Sequence, residues 1–291
     1  MSGYLWALVG FTCIGSYMLP VRFSTAKGFS FFHLMGFGLL VIVLLRWKSV
    51  QLLWAHPQWF WAALLSGVLW GLGQASAGLA LEEISLAKGV VYFNFNTLLN
   101  IVLGLVIFRE ATTLKSLALL LLGAALLSAG ALWVTSISAP PAKEGNLKKG
   151  IWLSLLAGFF WGIYFLPIRL VPQWDPQPLI SQLDVLIVLV LGGAITAILI
   201  PVIHKTKGLT TVNLSLGLVS ALLWVLGMSG MLMAIQMLGL SRAVPIVNSS
   251  SLVYAGWSLF VFKELHFNEW PKVLGSALLA LLGGILMALS S

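Results

Sequence analysis

The sequence predicts an all-α polytopic membrane protein with ten transmembrane helices, arranged as two inverted five-helix repeats. Three observations carry this expectation: composition, a series of apolar runs, and an internal repeat. Of 291 residues, 60% are hydrophobic and only 8% are charged. Soluble domains average about 45–50% and about 25%. Mean hydropathy is +1.03. Sixteen Lys and Arg with eight Asp and Glu are too few to clothe a soluble surface of this length. That excludes a soluble enzyme, a disulfide scaffold and a disordered chain. The net charge of +8 would suggest nucleic acid in a soluble chain. Here the cations mostly stand singly at the ends of apolar runs, as membrane-flanking residues do. Cys13 is the one cysteine, so neither an internal disulfide nor a cysteine metal site can form. No cleavable signal is evident, because the first apolar run lacks a basic leader.

A membrane-spanning helix needs about 20 apolar residues. The runs that meet this are roughly 3–21, 29–45, 58–81, 85–108, 113–134, 150–171, 179–203, 213–237, 241–262 and 270–289. The first ends in Tyr17-Met18-Leu19-Pro20, a bend signal. The second holds His33 near its start. The third carries the Gly67/Gly71 step, which permits close helix approach. The fourth is the most polar, with Tyr92, Asn94, Asn96 and Asn100. The fifth is apolar throughout. Only 135–149 has a soluble composition, so it reads as a linker between a first repeat, 1–134, and a second, 150–291. The sixth run repeats the Tyr-x-Leu-Pro signal at Tyr164 and Pro167. The seventh contains Asp184, the eighth Trp224, and the ninth Pro245 with Asn248. The tenth is apolar. Trp residues near span ends (Trp47, Trp54, Trp59, Trp61, Trp152, Trp270) read as an interfacial anchor belt.

The two halves match point by point. Gly15, Tyr17, Leu19, Pro20 and Arg22 recur at one constant offset as Gly162, Tyr164, Leu166, Pro167 and Arg169. At a second constant offset, Ser66, Trp70, Gly73, Lys88, Asn94, Arg109 and Glu110 recur as Ser220, Trp224, Gly227, Arg242, Asn248, Lys263 and Glu264. Five spans per unit is odd, so the two units lie upside down relative to each other. Inverted repeats are the architecture of many secondary transporters, with substrate bound at the midplane between halves. A mild Lys/Arg bias favours an outside N-terminus, and the orientation stays open.

At this point the residues resemble a family. Ten helices in two inverted five-helix repeats resemble the drug/metabolite transporter superfamily. Gly67-Val68-Leu69-Trp70-Gly71-Leu72-Gly73-Gln74 and Leu238-Gly239-Leu240-Ser241-Arg242-Ala243-Val244-Pro245 are similar to its glucose/ribose porter branch. Asn146-Leu147-Lys148-Lys149-Gly150 is similar to the related rhamnose–proton symporters. The resemblance implies a substrate cavity between the halves, lined by spans 1, 3, 4, 6, 8 and 9, with spans 5 and 10 peripheral. For the sugar branch it implies uptake of a monosaccharide, with protons as the coupling ion, in a prokaryotic inner membrane.

Polar groups inside a bilayer are costly without partners, so each is a functional candidate. Tyr92, Asn96 and Asn100 are spaced by four and share one helix stripe. Amides donate and accept, which suits a sugar hydroxyl; the competing role is interhelical hydrogen bonding. Asn94 points elsewhere on that helix. Ser66, Trp70 and Gln74 form a second stripe, its mate being Ser220, Trp224 and Met228. Trp faces can carry the apolar side of a pyranose or simply fill space. Asn248 follows Pro245 in a polar stretch, Ser249 to Ser251, and serines there can bond back to their own helix. Tyr17, Tyr164 and Trp161 stand beside the matched prolines, in gate or hinge positions. Arg22 and Arg169 read as snorkelling or capping cations. Arg109-Glu110 and Lys263-Glu264 read as interfacial structural pairs. Asp184 and His33 are the proton-coupling candidates. The histidines show no metal spacing and no Walker-type loop is present, so the chain reads as a non-enzyme without cofactor or nucleic-acid partner. The alternatives are a metabolite or amino-acid exporter, and a membrane protein that binds ligand without moving it. The absence of a charge in the central spans favours sugar over amino acid.

Overall fold

The computed structural model describes residues 2–26, 28–84, 92–93, 95–110, 113–135, 145–176, 180–199, 210–250, 252–253, 256–257, 261 and 270–290. Every regular element among them is helical, and none is a strand.

The first span is α1 (Ser2–Ser16), which passes through a turn into a 3₁₀ helix, Leu19–Phe23. Pro20 sits in the first turn of that 3₁₀ helix, where its missing N–H costs nothing. The second span is α2 (Gly28–Leu45). After it the chain turns by 72° at Arg46 into α3, Trp47–Trp54. That short amphipathic helix was not expected, because the apolar run stops at 45. It buries Ser49, Val50 and Leu53 and leaves Trp47 and Trp54 exposed.

Next come α4 (Pro57–Glu83), α5 (Phe95–Val106) and α6 (Leu114–Thr135). Asn146 caps α7 (Leu147–Ile163): its side chain accepts the Lys149 N–H at 3.1 Å. Glu83, from the end of α4, accepts from the Asn146 N–H at 2.8 Å and pairs with Lys149 Nζ at 2.5 Å. The linker's last residues are thus a capping structure; 136–144 lie outside the described residues. The sixth span continues as α8 (Leu166–Trp174), with Pro167 in its first turn. The matched prolines therefore both open a new helical segment, as Pro in a first turn can. Then follow α9 (Gln182–Leu199), α10 (Thr211–Leu238), α11 (Leu240–Asn248) and α12 (Trp270–Leu289).

Among the described residues, five segments are long and apolar enough to cross a bilayer: Gly3–Val21, Pro57–Glu83, Leu147–Trp174, Gln182–Leu199 and Thr211–Leu238. The bent pair Ser30–Leu45 and Trp47–Trp54 raises this to six. Phe95–Val106, Leu114–Gly130 and Pro271–Met287 are apolar but shorter. Parts of the expected fourth, seventh and ninth spans lie outside the described residues.

The long helices α4 and α10 anchor the packing. α4 lies against α7, α8 and α9; α10 lies against α1 and α2. α5 packs on α7 and α11, while α6 and α12 pair off with a small core of Leu120, Ala124, Leu127 and Met287. Lipid cannot drive helices together as water does, so close contact decides association. The α4–α9 contact is a glycine-to-glycine crossing. A Cβ on Gly67 would overlap the Leu189 carbonyl oxygen and approach the Gly192 Cα to 2.9 Å. Both obstacles are backbone, so neither can rotate away. Gly67→Ala is therefore expected to destabilise by at least about 3 kcal/mol, the upper end of overpacking costs. Gly284→Ala on α12, where a Cβ meets nothing within 4 Å, should leave stability level or slightly raised. Thermal unfolding of the two variants in detergent checks the contrast.

Candidate functional site

The polar residues of α5 and α11 meet across the two halves. Asn248, at the end of α11, donates from Nδ2 to Asn96 Oδ1 at 3.1 Å and to Thr97 Oγ1 at 3.0 Å. Thr97 Oγ1 in turn donates to Asn96 Oδ1 at 3.0 Å. One turn along α5, Asn100 donates from Nδ2 to the Asn96 carbonyl at 2.8 Å, and at 3.5 Å faces the carbonyl of Trp161 on α7. Asn100 is completely buried. Two polar atoms here have no hydrogen-bond partner among the described residues: the acceptor Asn100 Oδ1 and the donor Trp161 Nε1. Buried polar atoms are nearly always paired, so two orphans of opposite kind on neighbouring helices mark a place suited to a group that can both donate and accept. The Trp161 ring is held edge-on to Phe93 at 5.4 Å. Gly73 on α4 makes room for it, since a Cβ there would lie 2.5 Å from Trp161 Nε1.

Beside this cluster, Gln74 Nε2 donates to Tyr17 Oη at 3.3 Å. Tyr164 Oη points at the sulfurs of Met228, 3.7 Å away, and Met231, 3.8 Å away. Midway along α4 and α10, Trp70 and Trp224 lie against each other, centroids 4.0 Å apart and tilted by 35°. Both rings are buried, and Trp70 also meets the edge of Phe32 at 5.9 Å. One face of each indole, read from the sequence as either a sugar platform or a space-filling ring, is thus covered by the other. Equivalent residues of two matched halves meet when they lie on the axis relating the halves.

Tyr92 is half-buried in a helical turn whose carbonyl covers Gly158. Asn94, Lys88, Ser251, Lys263 and Glu264 lie outside the described residues. Ser249 bonds back to the Ile246 carbonyl at 2.6 Å, as expected of a membrane serine.

The two proton-coupling candidates are apart. His33 Nδ1 is 2.9 Å from the Ala197 carbonyl, and its ring meets Phe37 edge-on at 5.0 Å. Asp184 stands in the first turn of α9 and accepts from Ser181 Oγ at 2.6 Å and Ser49 Oγ at 2.7 Å. The Ser181 N–H approaches it at 3.3 Å and its own N–H meets Ser181 Oγ at 3.2 Å, which is a reciprocal capping box. Asp184 and Ala197 are separated by about 20 Å along α9 at 1.5 Å per residue. The two residues therefore form no common relay. The spacing Ser181-x-x-Asp184 was itself a capping signal in the sequence. Glu82 and Glu83 are helical as well, in the last turn of α4.

Sequence reasoning missed an ion pair that joins the two halves of the chain. Glu110 pairs with Arg169 Nη2 at 3.1 Å instead of with its neighbour Arg109. Arg109 has left-handed backbone, φ 51°. Arg169 is therefore a salt-bridge partner across the halves, where a snorkelling or capping cation was expected.

Helices of this length and apolarity, closing around a neutral cluster of amides and indoles, define an integral multi-pass membrane protein with an interior polar site. Its likeness to sugar-uptake porters and rhamnose–proton symporters is borne out by the comparisons. Residues 177–291 match the family described as Sugar transport protein. A probable glucose uptake protein of Bacillus anthracis is 31% identical over 129 residues, 44% of this chain and 41% of that one. An L-rhamnose-proton symporter of Pectobacterium carotovorum subsp. carotovorum is 27% identical over 181 residues, 55% of this chain and 52% of its own. A putative sugar uptake protein of Listeria monocytogenes serovar 1/2a is 23% identical over 238 residues, 79% of each chain. The match thus spans about half or less of the first two relatives. A protein of known crystal structure shares the fold, with a TM-score of 0.71 at 13% identity, over 99% of this chain and 96% of its own.

Proposed function

We propose that this chain is a secondary transporter that moves a monosaccharide across a bacterial inner membrane by alternating access between two inverted five-helix repeats. The cluster of Asn248, Asn96, Thr97 and Asn100, with its unpaired Asn100 Oδ1 and Trp161 Nε1, carries the reading. A neutral donor–acceptor lining fits hydroxyls. An amino-acid substrate would call for fixed charges against its carboxylate and ammonium, and the described residues of the cluster carry none. The sugar transport match and the glucose- and rhamnose-named relatives support the substrate class.

Matched contacts support the duplication. Tyr17 meets Gln74 as its repeat-mate Tyr164 meets Met228, the mate of Gln74. α4 packs on α7 and α9, just as α10 packs on their counterparts α1 and α2. The replacement of Gln74 by Met228 makes the two tyrosine pockets unequal, as a substrate without two-fold symmetry would require. Proton coupling is the finer part of the proposal, and the rhamnose relative's name supports it.

The test is counterflow in liposomes with labelled monosaccharides, amino acids and cationic drugs, with and without a pH gradient. Exchange of a monosaccharide and of no amino acid is the expected result; the reverse pattern would overturn the sugar reading. Asp184→Asn is included. Its contacts are those of a helix cap, so sugar accumulation driven by a pH gradient should persist in that variant. Loss of accumulation with counterflow retained would instead make Asp184 the coupling acid.

A further inference from the structure

Glu110 follows the end of α5, and its side chain is 8% exposed. Each donor that the structure gives its carboxylate comes from the second half of the chain. Oε1 accepts the Leu240 N–H at 2.7 Å and Arg169 Nη2 at 3.1 Å. Oε2 accepts the Ser241 N–H at 2.7 Å and Ser241 Oγ at 2.6 Å. Leu240 and Ser241 open α11, where helix N–H groups lack internal partners and the helix dipole is positive. An anion belongs there on both counts.

The surroundings are shaped for this carboxylate. Gly239 has φ +85°, and a Cβ on it would lie 2.6 Å from the Glu110 carboxyl carbon. A Cβ on Gly104 of α5 would lie 2.7 Å from Oε2 and 2.8 Å from Ser241 Cβ. Arg169 is held on its other side by the Phe108 ring, 4.8 Å below the guanidinium carbon. Arg242, the nearest other cation on α11, is engaged elsewhere: it donates to Ser290 Oγ at 3.0 Å and to the Ser290 carbonyl at 2.8 Å.

One side chain of the first half thus holds α8 and the start of α11 together at one face of the membrane. α11 ends at Asn248 and α8 continues from the segment bearing Trp161 and Tyr164, so both arms of the candidate site hang from this joint. We infer that Glu110 and Arg169 form a latch that keeps the Glu110 face of the transporter shut, and that releasing it opens the site to that face. The inference rests on the alternating-access reading for its purpose. Its physical content, a charged joint between the halves that must part for this face to open, holds for any substrate. The Glu110 side chain is 8% exposed and the Arg169 side chain 28%, so separating them in place would leave the carboxylate short of a cation in a largely dry site, which holds the closed arrangement until water reaches Glu110.

The experiment reads access directly and needs no sugar. In the full chain carrying Cys13→Ala, a reporter is introduced as Val244→Cys, one turn along α11 from Leu240 at a buried position. The protein is reconstituted in vesicles of both orientations and treated with a membrane-impermeant maleimide. Glu110→Gln keeps the shape and one of the two acceptor oxygens but removes the charge. Arg169→Lys keeps the charge but loses the forked reach, and it carries the test if Glu110→Gln fails to fold. The expected result is labelling from the Glu110 face raised roughly tenfold or more by either variant, with labelling from the opposite face not raised. Labelling unchanged by both variants, or raised equally from both faces, would overturn the latch. Counterflow on the same vesicles separates the two ideas. A chain that moves no monosaccharide yet opens at the Glu110 face loses the sugar reading and keeps the latch.

Discussion

Asn248→Ala is expected to lower sugar counterflow about ten- to hundredfold, which corresponds to about 1.4–2.8 kcal/mol and lies within the roughly 1–3 kcal/mol cost of leaving one buried polar group unsatisfied. Asn248 Nδ2 is the donor that joins α11 to both Asn96 Oδ1 and Thr97 Oγ1 on α5. Without it, Thr97 is the remaining described donor to Asn96 Oδ1, and the lining that presents Asn100 loses its tie to the second half. The competing role is interhelical hydrogen bonding alone. That role has its own magnitude: such bonds average about 0.6 kcal/mol in membrane helices. If Asn248 only glues helices, unfolding in detergent should move by roughly that amount and counterflow per folded molecule should stay level. The substrate role requires the opposite weighting. Asn96→Ala should mimic the loss, and the double variant should be little worse than either single one, because both remove the same bond. Additive losses in counterflow would sink the shared-site reading.

How much of this was legible in the sequence depended on the range of the interaction. Apolar length and charge poverty are local properties, and they gave the membrane class and the positions of α1, α4, α7 and α10. The matched Tyr-x-Leu-Pro-x-Arg segments were likewise readable, and both prolines open short helical segments where the sequence put its bends. α3 escaped because an amphipathic helix lying off the span axis has no long apolar run. The polar stripe of α5 was visible as spacing, but spacing could not tell that Asn100 would spend its amide N–H on its own helix and leave its oxygen unpaired. Asp184 stood out as a charge within a hydrophobic window, and Ser181, three residues before it, is the neighbour that places its carboxylate in a helix cap. Glu110 could not have been assigned to Arg169 at all. The adjacent Arg109 is the nearer cation in sequence, and only the left-handed turn at Arg109 and the approach of α11 decide the partner. The clue that existed was Gly239, a glycine between two apolar helices where a positive φ was needed.

Trp70→Ala should destabilise the folded chain by about 3–5 kcal/mol, the usual result of deleting a buried aromatic ring. Trp70 is 4% exposed and Trp224 is 2% exposed, and they share one contact at 4.0 Å. Stacking adds about 0.5–1.5 kcal/mol beyond the area each ring buries. Trp70 is enclosed on another side as well, since a Cβ on Gly193 of α9 would come within 2.9 Å of its six-membered ring. α9 therefore cannot follow the deleted ring inward without moving the Gly67–Gly192 crossing next to it, and the cavity left by Ala should persist. The two rings are repeat-mates, which sets the rest of the expectation. If they meet on the axis relating the halves, Trp224→Ala should cost the same as Trp70→Ala within about 1 kcal/mol. The double variant should then fall short of the sum by roughly the stacking energy, since the shared contact is lost only once. Denaturation of the three variants in the same detergent measures all of this. A single variant that unfolds like the parent would return the indole to the role of a substrate platform, because a face kept free for sugar contributes little to the empty fold. Unequal costs of several kcal/mol would instead move the axis away from the pair and weaken the duplication as an account of the core.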